Sequence, residues 1–122
     1  MRIDGKCHCG YITIEGEADP EKTTICHWLD CQTGTGSAFR VSVPVAGATF
    51  RMTGQPTMYL KTTAESGHPR AQAFCPRCGS PIYSTTPGEG PQDQCRTLCE
   101  AQLRPHPLHR QRLTVGVAEV EL

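Results

Sequence analysis

No run of apolar residues in this chain approaches the roughly 20 needed to cross a membrane as a helix, so no membrane partner is expected. Nor is there an excess of charge of either sign: Lys and Arg number 12, Asp and Glu 12. No basic stripe or polybasic run appears either. Nucleic acid is therefore not an expected partner, because that binding rests on clustered Lys and Arg neutralising phosphates. Aromatic residues are scarce, with three Phe, three Tyr and one Trp among 122 residues. The hydrophobic fraction is 37%. That is enough for one thin core, and it fits a single domain over residues 1–122. The opening Met1-Arg-Ile-Asp-Gly-Lys6 contains no apolar signal core. Nothing there marks export, and a cytoplasmic address is the expectation.

What the chain does have is cysteine, eight residues in all. Without an export signal, closely spaced cysteines read as metal ligands or redox groups rather than as a disulfide framework. Cys7-His8-Cys9-Gly10 and Cys75-Pro76-Arg77-Cys78-Gly79 are the sharpest of these groups. Each is a thiol pair at chelating spacing, followed at once by glycine. Together they supply four thiolates, the set a structural Zn²⁺ takes in tetrahedral geometry. Glycine after each second Cys permits a tight turn and lets backbone N–H groups approach the sulfurs. The competing reading is buried free thiols or a disulfide. A site with four protein ligands is coordinatively full, so it staples the fold and carries no chemistry. The staple matters in a chain with a thin core, because metal-binding free energy becomes folding free energy.

Between the pairs, the sequence up to about Pro87 reads as short strands and turns. Tyr11-Ile-Thr-Ile-Glu15 alternates apolar and polar residues, the pattern of a half-buried strand. Thr23–Ile25, Ala38–Pro44, Thr49–Met52, Thr57–Thr62, Ala71–Phe74 and Pro81–Thr86 are further β-prone runs, with Pro44 expected to end its strand. No window here sustains a 3.6-residue apolar period. Many short strands with Gly and Pro between them predict an all-β sandwich or barrel-like domain with the Cys pairs at strand ends. The character then changes. Pro87-Gly-Glu-Gly-Pro91 reads as a loop. Thr97–Arg104 has a helical composition stopped by Pro105, and Leu113–Leu122 reads as a final strand. At i, i+4 spacing Cys95 and Cys99 would share one helix face, open to roles as ligands, a redox pair or free thiols.

A third cluster, Cys26-His27-Trp28-Leu29-Asp30-Cys31, offers two more thiols. A catalytic zinc keeps three protein ligands and one open position. Cys26 and Cys31 supply two, and His27 and Asp30 are the candidates for a third. Side chains of adjacent residues diverge on an extended segment, so His27 also reads as a polar residue bonded to backbone. Trp28 reads as core packing. Thr33-Gly-Thr-Gly-Ser37 reads as a loop of small residues that brings N–H groups toward an anion.

Several of these segments, taken in order, form a pattern. They are Cys7-His-Cys-Gly10, Cys26-His-x-x-x-Cys31 and Gly36-Ser-Ala-Phe39, then Phe50-x-x-x-Gly54-x-Pro-x-x-Tyr59, Ser66-Gly67 and Phe74-Cys-Pro-x-Cys-Gly-Ser-Pro-Ile-Tyr-Ser84. Over residues 1–90 the chain resembles the glutathione-dependent formaldehyde-activating enzyme family, whose domain is shared with centromere protein V. Residues 91–122 form a divergent tail. The resemblance implies an all-β, Mss4-like fold of zinc-stapled antiparallel sheets with two zinc sites. It implies a structural zinc on Cys7, Cys9, Cys75 and Cys78, the set already chosen by spacing. A second, catalytic zinc would sit on a Cys-x-Cys-x-x-Cys triplet. The implied chemistry is of the carbon–sulfur lyase type, in which glutathione thiol adds reversibly to formaldehyde to give S-hydroxymethylglutathione.

The outer cysteines of the triplet fall on Cys26 and Cys31, but its central position is Trp28. Indole offers no lone pair to zinc. Either the site recruits His27, Asp30 or a tail residue, or it stays empty and the indole fills the space. Three functions follow. One is a zinc-binding carbon–sulfur lyase acting on a thiol or thiol adduct such as glutathione, with Cys26 and Cys31 catalytic. Another is a non-catalytic, zinc-stabilised binding module. The last is a thiol redox sensor at Cys26 and Cys31.

Overall fold

The computed structural model describes residues 1–63, 67–88, 95–99 and 103–105, the last two stretches as backbone. Ten strands are β1 (Arg2–Lys6), β2 (Thr13–Glu17), β3 (Thr24–Cys26), β4 (Arg40–Ala46), β5 (Arg51–Thr53), β6 (Thr57–Lys61), β7 (Arg70–Phe74), β8 (Pro81–Thr85), β9 (Cys95–Cys99) and β10 (Leu103–Pro105). One helix, α1 (Leu29–Thr35), follows β3. Among the described residues every strand pairing is antiparallel. The fold is all-β, as composition and patterning lead one to expect.

The strands form two sheets. A four-stranded sheet runs in the order β10-β1-β2-β5, and a six-stranded sheet in the order β3-β4-β9-β8-β7-β6. Along β2 burial alternates strictly, with Ile14 and Gly16 inward and Thr13, Glu15 and Glu17 outward. This is the period-2 pattern a one-sided sheet requires. The inward residues of both sheets make one continuous core of Ile3, Ile12, Ile14, Val43, Val45, Phe50 and Ile82 with Ala18, Ala73, Cys7 and Cys75. Phe50 meets Tyr83 edge to face at 5.5 Å, the favoured aromatic geometry.

The sheets approach each other closely at Gly16. A Cβ there would lie 2.6 Å from Val45 Cγ1, so only glycine lets β2 pass β4 at this distance. One residue further on but one, Ala18 forms an isolated bridge with Val45.

The structure departs from the sequence expectations at several points. β1 gave no signal, because Ile3 is its only large apolar residue and Asp4 and Gly5 are poor strand formers. Yet β1 lies between β10 and β2, with Ile3 fully buried. Pro44 does not end its strand, since β4 runs on to Ala46. β3 pairs only with Arg40–Ser42, so Pro44 has no β3 partner to donate to on that side of β4, and its missing N–H is tolerated. Residues Cys95–Cys99 and Leu103–Pro105 are strands, not one short helix. β9 fills the slot between β4 and β8, and backbone partners on both sides override the helical preference of Leu, Ala, Gln and Arg. The expected strand at Leu113–Leu122 lies outside the described residues.

Candidate metal centre

Two hairpin turns build the site. One joins β1 to β2 and carries Cys7 and Cys9; the other joins β7 to β8 and carries Cys75 and Cys78. Their backbone frames match. In each, the first Cys donates its N–H to the carbonyl five residues on, Cys7 to Ile12 (3.0 Å) and Cys75 to Ser80 (2.9 Å). In each, the glycine returns an N–H to that Cys carbonyl, Gly10 at 3.0 Å and Gly79 at 2.8 Å. Both glycines have positive φ, 81° and 74°, a conformation that side chains penalise.

These turns bring all four sulfurs within 4.8 Å of one another. Cys7 Sγ lies 3.6 Å from Cys9 Sγ, and Cys9 Sγ lies 3.7 Å from Cys75 Sγ. A tetrahedron with Zn–S bonds of about 2.3 Å has S···S edges of about 3.8 Å, so the arrangement fits a zinc ion without rebuilding. Cys7 and Cys75 are buried, Cys78 is half-buried and Cys9 is exposed. Among the described residues, this is the one cluster of three or more His, Cys, Asp or Glu close enough to hold a metal.

Backbone and hydroxyl donors already serve the sulfurs. Ile12 N–H donates to Cys7 Sγ at 3.2 Å, and Arg77 N–H to Cys75 Sγ at 3.4 Å. Burial pushes the Cys7 thiol up, but the Ile12 N–H and the Cys9 and Cys75 thiols outweigh it and its pKa falls. The Ser80 hydroxyl, 3.2 Å from Cys78 Sγ, is the main cause that holds the Cys78 pKa down to about 5, aided by the N–H groups of Ser80 and Cys9. Cys9 goes the other way. The Tyr11 N–H lowers it, but desolvation and the three neighbouring sulfurs push it up to about 11. A thiolate thus stands ready at Cys78, while Cys9 must give up its proton to a metal.

Residues other than cysteine tie the two turns together. Ser80 Oγ also accepts the His8 N–H at 3.0 Å, so one hydroxyl spans both hairpins. The Arg77 guanidinium lies 3.8 Å above the centre of the Tyr11 ring, a cation–π contact between them. Neither Ser80 nor the Tyr11–Arg77 pair was singled out from sequence. The available signal was their place directly beside the Cys pairs.

The third cluster is built differently. Cys26 ends β3, Cys31 sits in the first turn of α1, and a disulfide joins them. In this state neither sulfur is a thiolate, and thiolate is the form zinc takes. The residues around them do not supply the missing ligands. Asp30 pairs with Lys61 at 3.0 Å. The His27 ring lies 6.0 Å from that of Phe39. The Trp28 side chain is 50% exposed, so it neither packs in the core nor fills a vacated metal site. A second zinc does not fit these residues as they stand. Nor is Thr33–Ser37 wholly a loop. Thr33–Thr35 complete α1, and Gly36, with φ 63°, caps it by donating its N–H to the Gln32 carbonyl.

The glutathione-dependent formaldehyde-activating enzyme family matches residues 2–105. The chain belongs to that family. No curated protein matches it. The family match spans both hairpins of the four-Cys cluster, the Cys26–Cys31 corner and both late strands. Among the described residues no helix is long and apolar enough to cross a membrane.

Proposed function

We propose that this family member is a single zinc-stapled domain of the Mss4-like type that acts in the cytoplasm on glutathione or a closely related thiol adduct. The observation that carries the reading is the four-sulfur cluster at zinc spacing within a chain of the formaldehyde-activating family. Cys7, Cys9, Cys75 and Cys78 hold the ion. When bound, zinc supplies a cross-link between the β1–β2 and β7–β8 hairpins, with no open position for substrate. Backbone N–H groups, the Ser80 hydroxyl and the matched turns place the sulfurs before the metal arrives, which lowers the cost of binding.

The reaction is of the carbon–sulfur lyase type. The thiol sulfur bonds to the formaldehyde carbon, the carbonyl oxygen takes the thiol proton, and the product is a hydroxymethyl thioether; the reverse step releases both. The test has two parts. Elemental analysis of protein purified without chelator should give one zinc per chain. Carbon-13 NMR exchange between labelled formaldehyde and its glutathione adduct should be faster with the protein than without it. One zinc per chain and no faster exchange would overturn the catalytic reading.

A second reading is favoured by one feature. The Cys26–Cys31 disulfide and the exposed Trp28 leave the middle cluster without the thiolates of a catalytic zinc. On that reading the chain is a non-catalytic module that binds a thiol metabolite. Saturable glutathione binding without turnover would support it.

A further inference from the structure

Each sheet has two outer strands, β10 and β5 in the smaller, β3 and β6 in the larger. An outer strand leaves backbone N–H and C=O groups unpaired along one side. Proteins blunt such edges by keeping them short, or by placing charge, proline or a bulge on them. Three of the four are blunted in this way. β3, β5 and β10 span three residues each, β5 opens on Arg51 and β10 closes on Pro105. β6 is not. It runs for five residues in unbroken register with β7, from Thr57 opposite Phe74 to Lys61 opposite Arg70. The irregular register lies one strand further in, between β7 and β8. Among the described residues no strand pairs with the outer side of β6.

The side chains of β6 leave the edge open as well. Met58, Tyr59 and Leu60 are 47%, 52% and 53% exposed, three large side chains in succession. Successive side chains of a strand point to opposite faces, so this surface lies on both faces of the edge. The only charged residue of β6, Lys61, is drawn back to its own chain, with Nζ 3.0 Å from Asp30 Oδ1. It is not free to repel an incoming strand. The order of residues then says what the edge accepts. From either end β6 reads polar, apolar, aromatic, apolar, polar. Laid antiparallel on a second copy about a two-fold axis at Tyr59, it sets Tyr59 against Tyr59, Met58 against Leu60 and Thr57 against Lys61. Large side chains meet in the three central pairs and no like charges are opposed, which is what favours a cross-strand pair. A slip of one residue either way sets Leu60 against Thr57 or Met58 against Lys61.

We propose that β6 is a self-association edge, at which a second copy of this chain adds its own β6 antiparallel and joins the two six-stranded sheets into one. The interface is isologous, the same patch on both protomers, so it closes at two copies. Backbone hydrogen bonds supply the attraction, and Met58, Tyr59 and Leu60 set the register. Five residues a side fall well short of the roughly 20 of a standard stable interface, so the dimer dissociates in the range of tens of micromolar. Neither the four-Cys cluster nor the lyase chemistry takes part, so failure of either leaves the edge standing.

The test is sedimentation equilibrium of the zinc-loaded full chain between about 1 and about 300 μM. The mass should rise with concentration from that of one chain, 13.3 kDa, toward that of two. Tyr59→Lys sets two ammonium groups against each other at the axis and should weaken the dimer about tenfold, with zinc content and melting unchanged. Tyr59→Cys should give a disulfide-linked pair of chains on mild oxidation, above the level of the unaltered protein, because opposed residues hold their Cβ atoms about 5 Å apart. Met58→Cys and Leu60→Cys should link to each other when mixed and far less each to itself. A mass that stays at one chain throughout would overturn the interface, and would mean that the edge is covered within a single chain. A dimer as strong in Tyr59→Lys as in the unaltered protein would put the contact elsewhere and overturn it too. Met58→Cys linking to itself as readily as to Leu60→Cys would overturn the register.

Discussion

The chain places cysteines in two settings that look alike as sequence and behave oppositely. At the four-Cys cluster each sulfur sits in or beside a glycine-closed turn, and backbone N–H groups point at Cys7 and Cys75. At the β3–α1 corner there is no glycine between Cys26 and Cys31, and the two sulfurs bond to each other. The difference teaches what makes a cysteine a ligand. N–H or O–H donors at a sulfur favour its anion, and an anion waits for a cation. The Cys26–Cys31 pair is joined instead, which takes both sulfurs out of any ligand set.

The largest effect should come from breaking the first setting. Cys75→Ser should abolish cooperative melting and send the chain to the insoluble fraction, because structural zinc supplies folding energy of about 10 kcal/mol in small zinc domains. A soluble variant with an unchanged melting curve would contradict the staple. The next perturbation converts the second setting into the first. Trp28→Cys in reducing buffer should raise zinc from one toward two per chain, since a third thiolate completes a ligand set. Unchanged metal content would show that geometry, not ligand count, bars the ion.

A smaller effect tests the donors themselves. Ser80→Ala removes the hydroxyl that does most to hold the Cys78 pKa at about 5. The Cys78 pKa then rises toward the ordinary 9.0, protons compete better with the metal, and zinc should be released at a higher pH on acid titration. Release at the same pH in both proteins would mean that backbone N–H groups suffice. The smallest concerns the Asp30–Lys61 pair that steadies the bridged corner. Asp30 raises the Lys61 pKa above its ordinary 10.5, so the pair stabilises the fold below pH 10.5 and its contribution is lost as pH rises through the shifted value. Lys61→Met should lower Tm slightly at pH 7, and the two melting curves should converge in strong alkali.

Much of this is legible in the sequence. The four site cysteines declared themselves because metal chelation demands fixed spacing, and spacing survives in one dimension. The strands of residues 11–86 were legible as short β-prone runs, most of them bracketed by Gly, Pro or the Cys pairs. β1 was not, since its burial comes from neighbours on both sides rather than from its own residues. The helical reading of Thr97–Arg104 failed for the same reason, because the slot between β4 and β8 sets that conformation. Trp28 misled through its size alone. A large apolar side chain suggests a core position, but residue 28 caps a helix at an exposed corner.

That slot has a consequence for how the protein is made. β4 and β8 share no ladder with each other among the described residues, and both pair with β9. On the ribosome, two half-sheets must therefore wait with open edges until residues 95–99 have emerged. Open edges are templates for foreign strands, so a nascent chain stalled near residue 90 is at its most aggregation-prone. Zinc captured early by the two hairpins would hold the halves in reach of each other during that interval.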